Sequence, residues 1–193
     1  MSKFINLETE RLILRDHTIE DFNSHHSLLS DENIMYYLQD IKTTTLEESK
    51  LNLLNAIEDI CSNNRTKYFF RIENKVTNEH IGEIGYTVTD FTPVGKLVHL
   101  GYFTYQRHWN KGYVTEAVKE VIRFAFEDND VFRISTGCIK DNLGSERVMQ
   151  KCGMTKEAEF KMNEWHDGKM KDRVLYRLLK NEWVFSDFKK QIK

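Results

Sequence analysis

A short basic turn between a strand and an amphipathic helix constrains this chain more than any other segment. The run Leu97–Phe103 is rich in β-branched and aromatic residues and predicts a strand. Beyond the turn, apolar residues recur at the i, i+3, i+4 and i+7 spacing of a helix with one buried face; they are Val114, Ala117, Val118, Val121, Ile122 and Ala125. A strand that passes through a tight turn into such a helix indicates an α/β fold.

The turn also predicts an anion site. Gly112 precedes the helix, whose first backbone N–H groups have no partner within the helix and carry partial positive charge. Arg107 and Lys111 add full positive charges, and phosphate is the usual guest of such a point. Taken alone, however, the turn is better explained as an ordinary solvated loop, because such turns are common and the chain contains neither a Walker sequence nor GxGxxG.

Hydrophobic periodicity and turn residues divide the rest of the chain into strands and helices without a linker or repeat. The further predicted strands are Arg11–Arg15, Tyr68–Glu73, His80–Thr89, Val131–Ile139, Lys156–Trp165 and Met170–Leu179. The further predicted helices are Ile19–Leu29, Glu32–Gln39, Thr45–Cys61 and Asn142–Cys152. Helices between and among the strands predict a mixed α/β sheet.

The exact order of residues in the basic turn resembles a known motif. The acyl-CoA loop of the GCN5-related N-acetyltransferase (GNAT) family has Arg or Gln, two residues, Gly, one residue, then Gly or Ala. Arg107 and Gly112 match it, and Asn110, which tolerates positive φ, stands at the first Gly. More narrowly, Trp109–Ala117 resembles the WGKGYATEA signature of the RimJ/RimL-like branch.

A second segment about 30 residues further on resembles the same family. Residues Asp141–Met154 match its NxxSxxxxxKxGF pattern at Asn142, Ser145, Lys151 and Gly153, with Met154 in place of Phe. Read without the family, Asn142 is a good helix N-cap and Ser145 an ordinary helix residue. Two segments in the right order, separated by a strand, favour the family over coincidence.

The resemblance implies the fold and the reaction. The expected fold is a mixed, mostly antiparallel sheet of about seven strands, splayed at its centre and flanked by helices. One acetyltransferase domain is expected over residues 9–183, followed by a tail at 184–193. Acetyl-CoA is the implied cofactor, with CoA as the product. The acceptor is a primary amine of a protein N-terminus, a polyamine or a small molecule, which attacks the thioester directly.

The resemblance also assigns the cofactor contacts. The basic turn is expected to wrap the CoA pyrophosphate, Asn142 to hold the pantetheine arm, and the strand end at Phe103–Thr104 to pair with that arm. The expected cofactor-binding residues are Phe103, Thr104, Arg107, His108, Trp109, Asn110, Lys111, Gly112, Tyr113, Val114, Thr115, Asn142 and Lys151.

Three residues are the catalytic candidates. Ser145 is expected to protonate or hydrogen-bond the departing thiolate. The proton of the attacking amine has two candidate acceptors. Glu164 falls where ribosomal-protein alanine acetyltransferases place a catalytic Glu, and we favour it, acting through water. His99 stands in Val98–Tyr102 where relatives often have the Glu of AEIGY, and is the alternate. Glu83 lines the acceptor cleft or a solvated face.

Composition excludes several other classes. A formal net charge of −2 without a dense basic run argues against nucleic-acid binding. No apolar run approaches 18 residues and no leader is evident, so we expect a cytoplasmic protein that does not enter a membrane. Three cysteines without CxxC spacing indicate reduced thiols. We expect no metal, because the adjacent His25 and His26 point to different helix faces. A homodimer is left open.

Two rival functions remain on these grounds. The first is a non-catalytic CoA-binding module that acts as a sensor or scaffold, which turnover measurements would distinguish from an enzyme. The second is an interaction protein without a cofactor, which requires both motif matches to be accidental.

Overall fold

The computed structural model describes residues 4–183, which hold an eight-stranded sheet, four α-helices and one further helical turn from Lys180 to Trp183. The strands are β1 (Asn6–Glu8), β2 (Leu12–Asp16), β3 (Lys67–Asn74), β4 (His80–Thr92), β5 (Gly95–Thr104), β6 (Val131–Ile139), β7 (Thr155–His166) and β8 (Lys169–Leu179). The helices are α1 (Phe22–Leu29), α2 (Leu46–Ile60), α3 (Tyr113–Glu127) and α4 (Leu143–Lys151). The strand order is β1-β2-β3-β4-β5-β6-β8-β7.

The sheet is mostly antiparallel and opens at its centre. Strands β5 and β6 pair in parallel, and their ladder runs from Lys96 opposite Val131 to His99 opposite Ser135. Both strands extend beyond the end of this ladder, β5 as far as Thr104. A parallel pair needs a crossover connection, which α3 provides. The mixed, splayed sheet flanked by helices confirms the predicted fold, with eight strands against the expected seven or so.

The chain divides into two compact units. Of the described residues, the first comprises those up to Thr87 together with Gly101–Glu120, and the second comprises Val88–Leu100 and those from Val121 to Trp183. Apolar side chains fill the first around Leu12, Leu14, Leu53, Phe70 and Ile72. Those of the second include Val98, Ile122, Phe126, Ile134 and Val174. The prediction of a single domain over residues 9–183 stays a prediction, and its tail lies outside the described residues.

Local signals fix the helix ends as the sequence predicts. Thr45 caps α2 by accepting the N–H of Glu48, whose carboxylate accepts the N–H of Thr45, a capping box. Asn142 caps α4 in the same manner, since its side-chain oxygen accepts the N–H of Ser145 at 3.1 Å. Helix α4 ends before Gly153, whose φ of 76° is the left-handed geometry of a residue just past a helix.

The predicted helix at residues 32–39 is wrong. This segment forms a series of turns in which the side chain of Asp31 accepts the N–H groups of Asn33 and Ile34. Such a side chain offers the backbone an alternative to helical bonding. The turns bury Ile34 and Met35 against Leu28 and Leu29 of α1, although no regular helix forms.

Close packing holds β4 against the end of β5. A Cβ atom added at Gly82 would lie 2.3 Å from the carbonyl oxygen of Phe103 and 2.6 Å from the Cα atom of Thr104. No real side chain fits at such distances. Among the described residues, no helix has the length and the apolar run that crossing a bilayer requires.

Candidate active site

The basic turn is a short loop that leads into α3. A 3-10 turn spans Gln106–His108, and the first helical bond joins the N–H of Glu116 to the carbonyl of Gly112. Asn110 and Gly112 have positive φ values, 59° and 81°, so both stand in the left-handed region where the loop motif has glycines. The N–H groups of Gly112, Tyr113 and Val114 precede the first helical bond and lie at the positive end of the helix dipole.

A carboxylate of α3 anchors this loop to the start of β2. Glu116 accepts hydrogen bonds from the hydroxyl of Thr9 at 2.6 Å and from the N–H of Arg11 at 2.9 Å. The guanidinium of Arg11 binds the same carboxylate, donates to the carbonyl of Lys111 at 3.1 Å and lies over the ring of Tyr113. Sequence reasoning missed Thr9 and Arg11, because their role depends on residues about 105 positions away.

The loop side chains differ in what they offer an anion. Arg107 is exposed, lies over the ring of Tyr105 and binds Glu79 at 2.8 Å, which lowers the pKa of that carboxyl. Lys111 and Asn110 are exposed. His108 is buried, and burial lowers its pKa, so it is neutral near pH 7. The loop therefore presents its backbone and its Arg and Lys side chains, with His108 packed beneath.

The strand end that was expected to bind the cofactor arm is partly enclosed. Thr104 is buried, and its carbonyl accepts the indole N–H of Trp109 at 3.2 Å. Phe103 is half-buried. The backbone N–H of Tyr105 donates to the carbonyl of Ile81 at 3.1 Å, which fixes the last residues of β5 against β4.

The second motif forms the start of α4. Ser145 lies one turn from the cap residue Asn142, and its hydroxyl interacts with Cys138 on β6. Burial raises the pKa of the Cys138 thiol to about 11, and the hydrogen bond from Ser145 opposes that rise. All three cysteines are free thiols. Lys151 is exposed at the last residue of α4.

The two candidate bases occupy different strands of the second unit. Glu164 on β7 is half-buried, and the guanidinium of Arg173 on β8 contacts its carboxylate. The negative charge of Glu164 also raises the pKa of the Cys138 thiol, although burial raises it more. His99 is exposed on β5, opposite Ser135 in the parallel ladder.

A buried polar cluster in the first unit was not predicted. Glu83 on β4 is only 7% exposed, and its carboxylate lies 2.7 Å from Nδ1 of His25 and 3.8 Å from Nε2 of His17. Burial opposes ionisation of Glu83, but the charges of the two histidines lower its pKa to about 2. Burial likewise opposes a charge on His25. The attraction and hydrogen bond of Glu83, together with smaller contributions from other groups, exceed this effect and raise the pKa of His25. Two glycines flanking an acidic strand residue were the signal available in the sequence.

A family model described as an acetyltransferase (GNAT) domain matches residues 11–155 of the chain. The protein belongs to the GNAT family. This match covers the basic loop and the α4 motif, and it confirms the family predicted from them. As a GNAT protein, the chain is an N-acetyltransferase.

Individual relatives agree with this placement. An uncharacterized N-acetyltransferase, YnaD, of Bacillus subtilis (strain 168) is 29% identical over 93% of this chain and 99% of its own length. The fold is similar to that of a ribosomal-protein-S5-alanine acetyltransferase from Vibrio fischeri, with a TM-score of 0.78, 22% identity and coverage of 93% and 98%. It is also similar to that of spermidine N-acetyltransferase from Vibrio cholerae in complex with CoA and spermine, with a TM-score of 0.79, 16% identity and coverage of 91% and 99%.

Proposed function

We propose that this GNAT protein transfers the acetyl group of acetyl-CoA to a primary amine. The observation that carries the proposal is the loop before α3, in which Asn110 and Gly112 adopt left-handed geometry directly ahead of a helix start. Such a loop directs several backbone N–H groups and a helix dipole toward one anion. The pyrophosphate of CoA is the matching ligand.

The residues of the loop suit a pyrophosphate. Gly112 carries no side chain, so a phosphate can approach the backbone closely. Lys111 is exposed and supplies a point charge, and Arg107 is exposed and already bound to the carboxylate of Glu79. Phosphate oxygens would compete with that carboxylate for the guanidinium. Trp109, 49% exposed, is free to cover the ligand with an apolar face.

Asn142 suits the pantetheine arm through one end of its side chain. Its side-chain oxygen already accepts the N–H of Ser145, which leaves the amide nitrogen as the donor toward the arm. The arm itself carries amide groups, and we place it along Phe103–Thr104 as an added strand would lie.

The chemistry then requires two proton transfers. The amine nitrogen attacks the thioester carbonyl carbon, the carbon–sulfur bond breaks, and the former amine must lose a proton while the thiolate gains one. We assign the proton donation or hydrogen bond at sulfur to Ser145, whose hydroxyl sits at the start of α4 beside Cys138. No covalent enzyme intermediate is required, so no nucleophilic side chain is needed.

Glu164 is the proposed acceptor of the amine proton, with His99 as the alternate. The contact with Arg173 holds the Glu164 carboxylate in place and occupies part of it, which favours transfer through a bridging water over direct contact. His99 is exposed on β5, so an incoming amine can reach its ring. Loss of either side chain tests the assignment.

The acceptor is a primary amine of a protein N-terminus, a polyamine or a small molecule. The structural relatives include enzymes named for a ribosomal-protein alanine and for spermidine, which supports testing those two classes first. The rival function is a CoA-binding module without turnover.

The decisive experiment measures release of the CoA thiol from acetyl-CoA. Spermidine, peptides with free N-terminal alanine or serine, and aminoglycosides are offered one at a time, and product mass is recorded for each. An acetylated amine together with amine-dependent thiol release supports the proposal. Tight CoA binding without amine-dependent release by any acceptor would favour the sensor or scaffold.

A further inference from the structure

Three buried side chains of the first unit converge on one point. His17 follows β2, His25 lies on α1 and Glu83 lies on β4. All three are buried, and one potential ligand atom from each lies within 4.8 Å of the others. We propose that His17, His25 and Glu83 form a site for one divalent transition-metal ion, with Zn²⁺ as the representative ion.

The distances fit such an ion after small side-chain movements. Zinc binds histidine nitrogen and carboxylate oxygen at about 2.0–2.2 Å, so tetrahedral ligand atoms lie roughly 3.3 Å apart. Glu83 Oε1 lies 2.7 Å from His25 Nδ1, and Glu83 Oε2 lies 3.8 Å from His17 Nε2. The first separation is shorter than the distance between two ligand atoms of a tetrahedral zinc ion, and the second is longer.

In each histidine, the outer ring nitrogen, which is the one not directed at Glu83, lies near an oxygen acceptor. His25 Nε2 lies 3.2 Å from the side-chain oxygen of Asn52, and His17 Nδ1 lies 3.7 Å from the carboxylate of Asp21. Metal-bound histidines usually direct their second nitrogen at such an oxygen, which fixes the ring and its tautomer. With each outer nitrogen protonated, His25 Nδ1 and His17 Nε2 both turn a lone pair toward Glu83.

The hydrogen bonding of His17 gives evidence for a bound ion that is independent of the distances. Its side chain is 1% exposed, yet neither ring nitrogen has a hydrogen-bond partner within residues 4–183. Buried polar atoms are nearly always satisfied, and an exception asks for an explanation such as an ion. A metal at the convergence point would satisfy the Nε2 atom.

The charges around Glu83 also call for a cation. Asp21 and Glu73 are bound by the guanidiniums of Arg15 and Arg71, whereas Glu83 forms no ion pair with Lys or Arg in the part of the chain described. A buried carboxylate needs a positive partner. A metal ion held between Glu83, His25 and His17 would supply that positive charge.

The donor set selects the kind of metal. Two imidazoles with one carboxylate suit Zn²⁺, Co²⁺, Ni²⁺ or Fe²⁺, whereas Mg²⁺ and Ca²⁺ prefer oxygen ligands throughout. Three protein ligands leave a fourth position, which a water molecule would fill.

The test uses full-length, tag-free protein that has been treated with EDTA and then dialysed. Zn²⁺ is titrated by calorimetry and by the shift in melting temperature, and Co²⁺ by its visible absorption. We expect saturable binding of one equivalent and a rise in melting temperature. Absence of saturable binding of either ion to the wild-type protein would overturn the proposal.

Two histidine variants separate this site from adventitious binding. His17→Asn removes a ligand without breaking any hydrogen bond of the described structure, and should weaken Zn²⁺ binding by at least about tenfold. His26→Asn is the matched control, because His26 lies next to His25 but bonds the hydroxyl of Ser49, and its affinity should equal that of wild type. Equal affinity of His17→Asn and wild type would refute the site.

A third variant covers the case in which His17→Asn does not fold. Asn52→Ala removes only the acceptor that orients His25 from α2, and it should weaken binding by about 10–100-fold. An unchanged affinity in that variant would contradict the proposed geometry.

Discussion

The carboxylate of Glu116 binds both the backbone N–H of Arg11, at 2.9 Å, and the Nε atom of the same residue, at 2.7 Å. Because Arg11 also donates to the carbonyl of Lys111, one residue pair ties the start of β2 to the first turn of α3 and to the loop before it. The Glu of the WNKGYVTEA segment therefore has a structural task in holding the loop, apart from any contact with a ligand.

Glu116→Gln should loosen the proposed cofactor loop. The amide cannot replace the charged acceptor of the Arg11 guanidinium, so the loop carbonyl of Lys111 loses its fixed donor. We expect the KM for acetyl-CoA to rise about tenfold with little change in kcat, and stability to fall by less than about 1 kcal/mol because Arg11 is well exposed. Glu127→Gln, which breaks a solvent-exposed pair with Arg123, is the control and should leave KM unchanged.

Gly112→Ala should impair CoA binding, whereas Gly153→Ala, which introduces similar backbone strain, should not. Gly112 and Gly153 have nearly the same φ, 81° and 76°, so alanine should cost each site about 1–2 kcal/mol of stability. Only Gly112 belongs to the proposed pyrophosphate loop. CoA should therefore raise the melting temperature of Gly153→Ala as it does that of wild type, and raise that of Gly112→Ala much less. Equal rises in the two variants would remove the loop from the cofactor site.

Ser145→Ala should slow turnover while leaving CoA affinity nearly intact. The hydroxyl acts on the thiolate as it develops, so its loss affects the transition state more than the ground state. The cap of α4 is preserved, because Asn142 bonds the backbone N–H of Ser145. We expect kcat to fall by up to roughly 10²-fold. An unchanged kcat would transfer the role to solvent or to another hydroxyl.

Glu164→Gln and His99→Gln distinguish the two candidate bases. Loss of the true base should lower kcat/KM by roughly 10²–10⁴-fold, and raising the pH should restore part of the rate because the amine then arrives neutral. Arg173→Gln is the companion variant, since it frees the Glu164 carboxylate without removing it. If only His99→Gln removes a pH-dependent limb near neutrality, His99 is the base. Near-normal rates in both variants would mean that the proton leaves to bulk water.

The cysteines should react with alkylating reagents in order of exposure and pKa. Burial raises the pKa of Cys138 to about 11, so at pH 8 it is almost entirely the neutral, unreactive thiol, and the thiolate forms only as the pH approaches 11. Cys61 is exposed at the end of α2 and should be modified first. Mass spectrometry after timed alkylation of the native protein measures the order. Labelling of Cys138 as fast as Cys61 would contradict the buried environment of β6.

The elements that the sequence predicted correctly carry strong local signals. Strand β6 has the predicted bounds. Helix α2 begins after Thr45, and α4 begins after Asn142 and ends before Gly153, as predicted, because caps act within one turn. The helix predicted at residues 32–39 is wrong because the local signal there favours turns over a helix. A local side-chain bond from Asp31 supports turns there, although the apolar residues have helical spacing.

The candidate site was predictable only where a motif lies in one stretch of chain. The loop Arg107–Thr115 and the start of α4 are such stretches. The Arg11–Glu116 anchor and the cluster around Glu83 join residues that are far apart in the sequence, and no periodicity indicates their contact. Burial of Glu83 could not be inferred either, because an acidic residue in a strand usually faces solvent.

The contact between Gly82 and Phe103 has an evolutionary consequence. Hydrogen is the only side chain that leaves room for the Phe103 carbonyl, so in a library of random variants position 82 should tolerate no replacement. Position 83 is limited in a different way, because loss of its carboxylate would leave the buried His17 and His25 without their acidic partner. Two adjacent positions should therefore vary little among descendants, position 82 because it has no space for a side chain and position 83 because its buried neighbours need its charge.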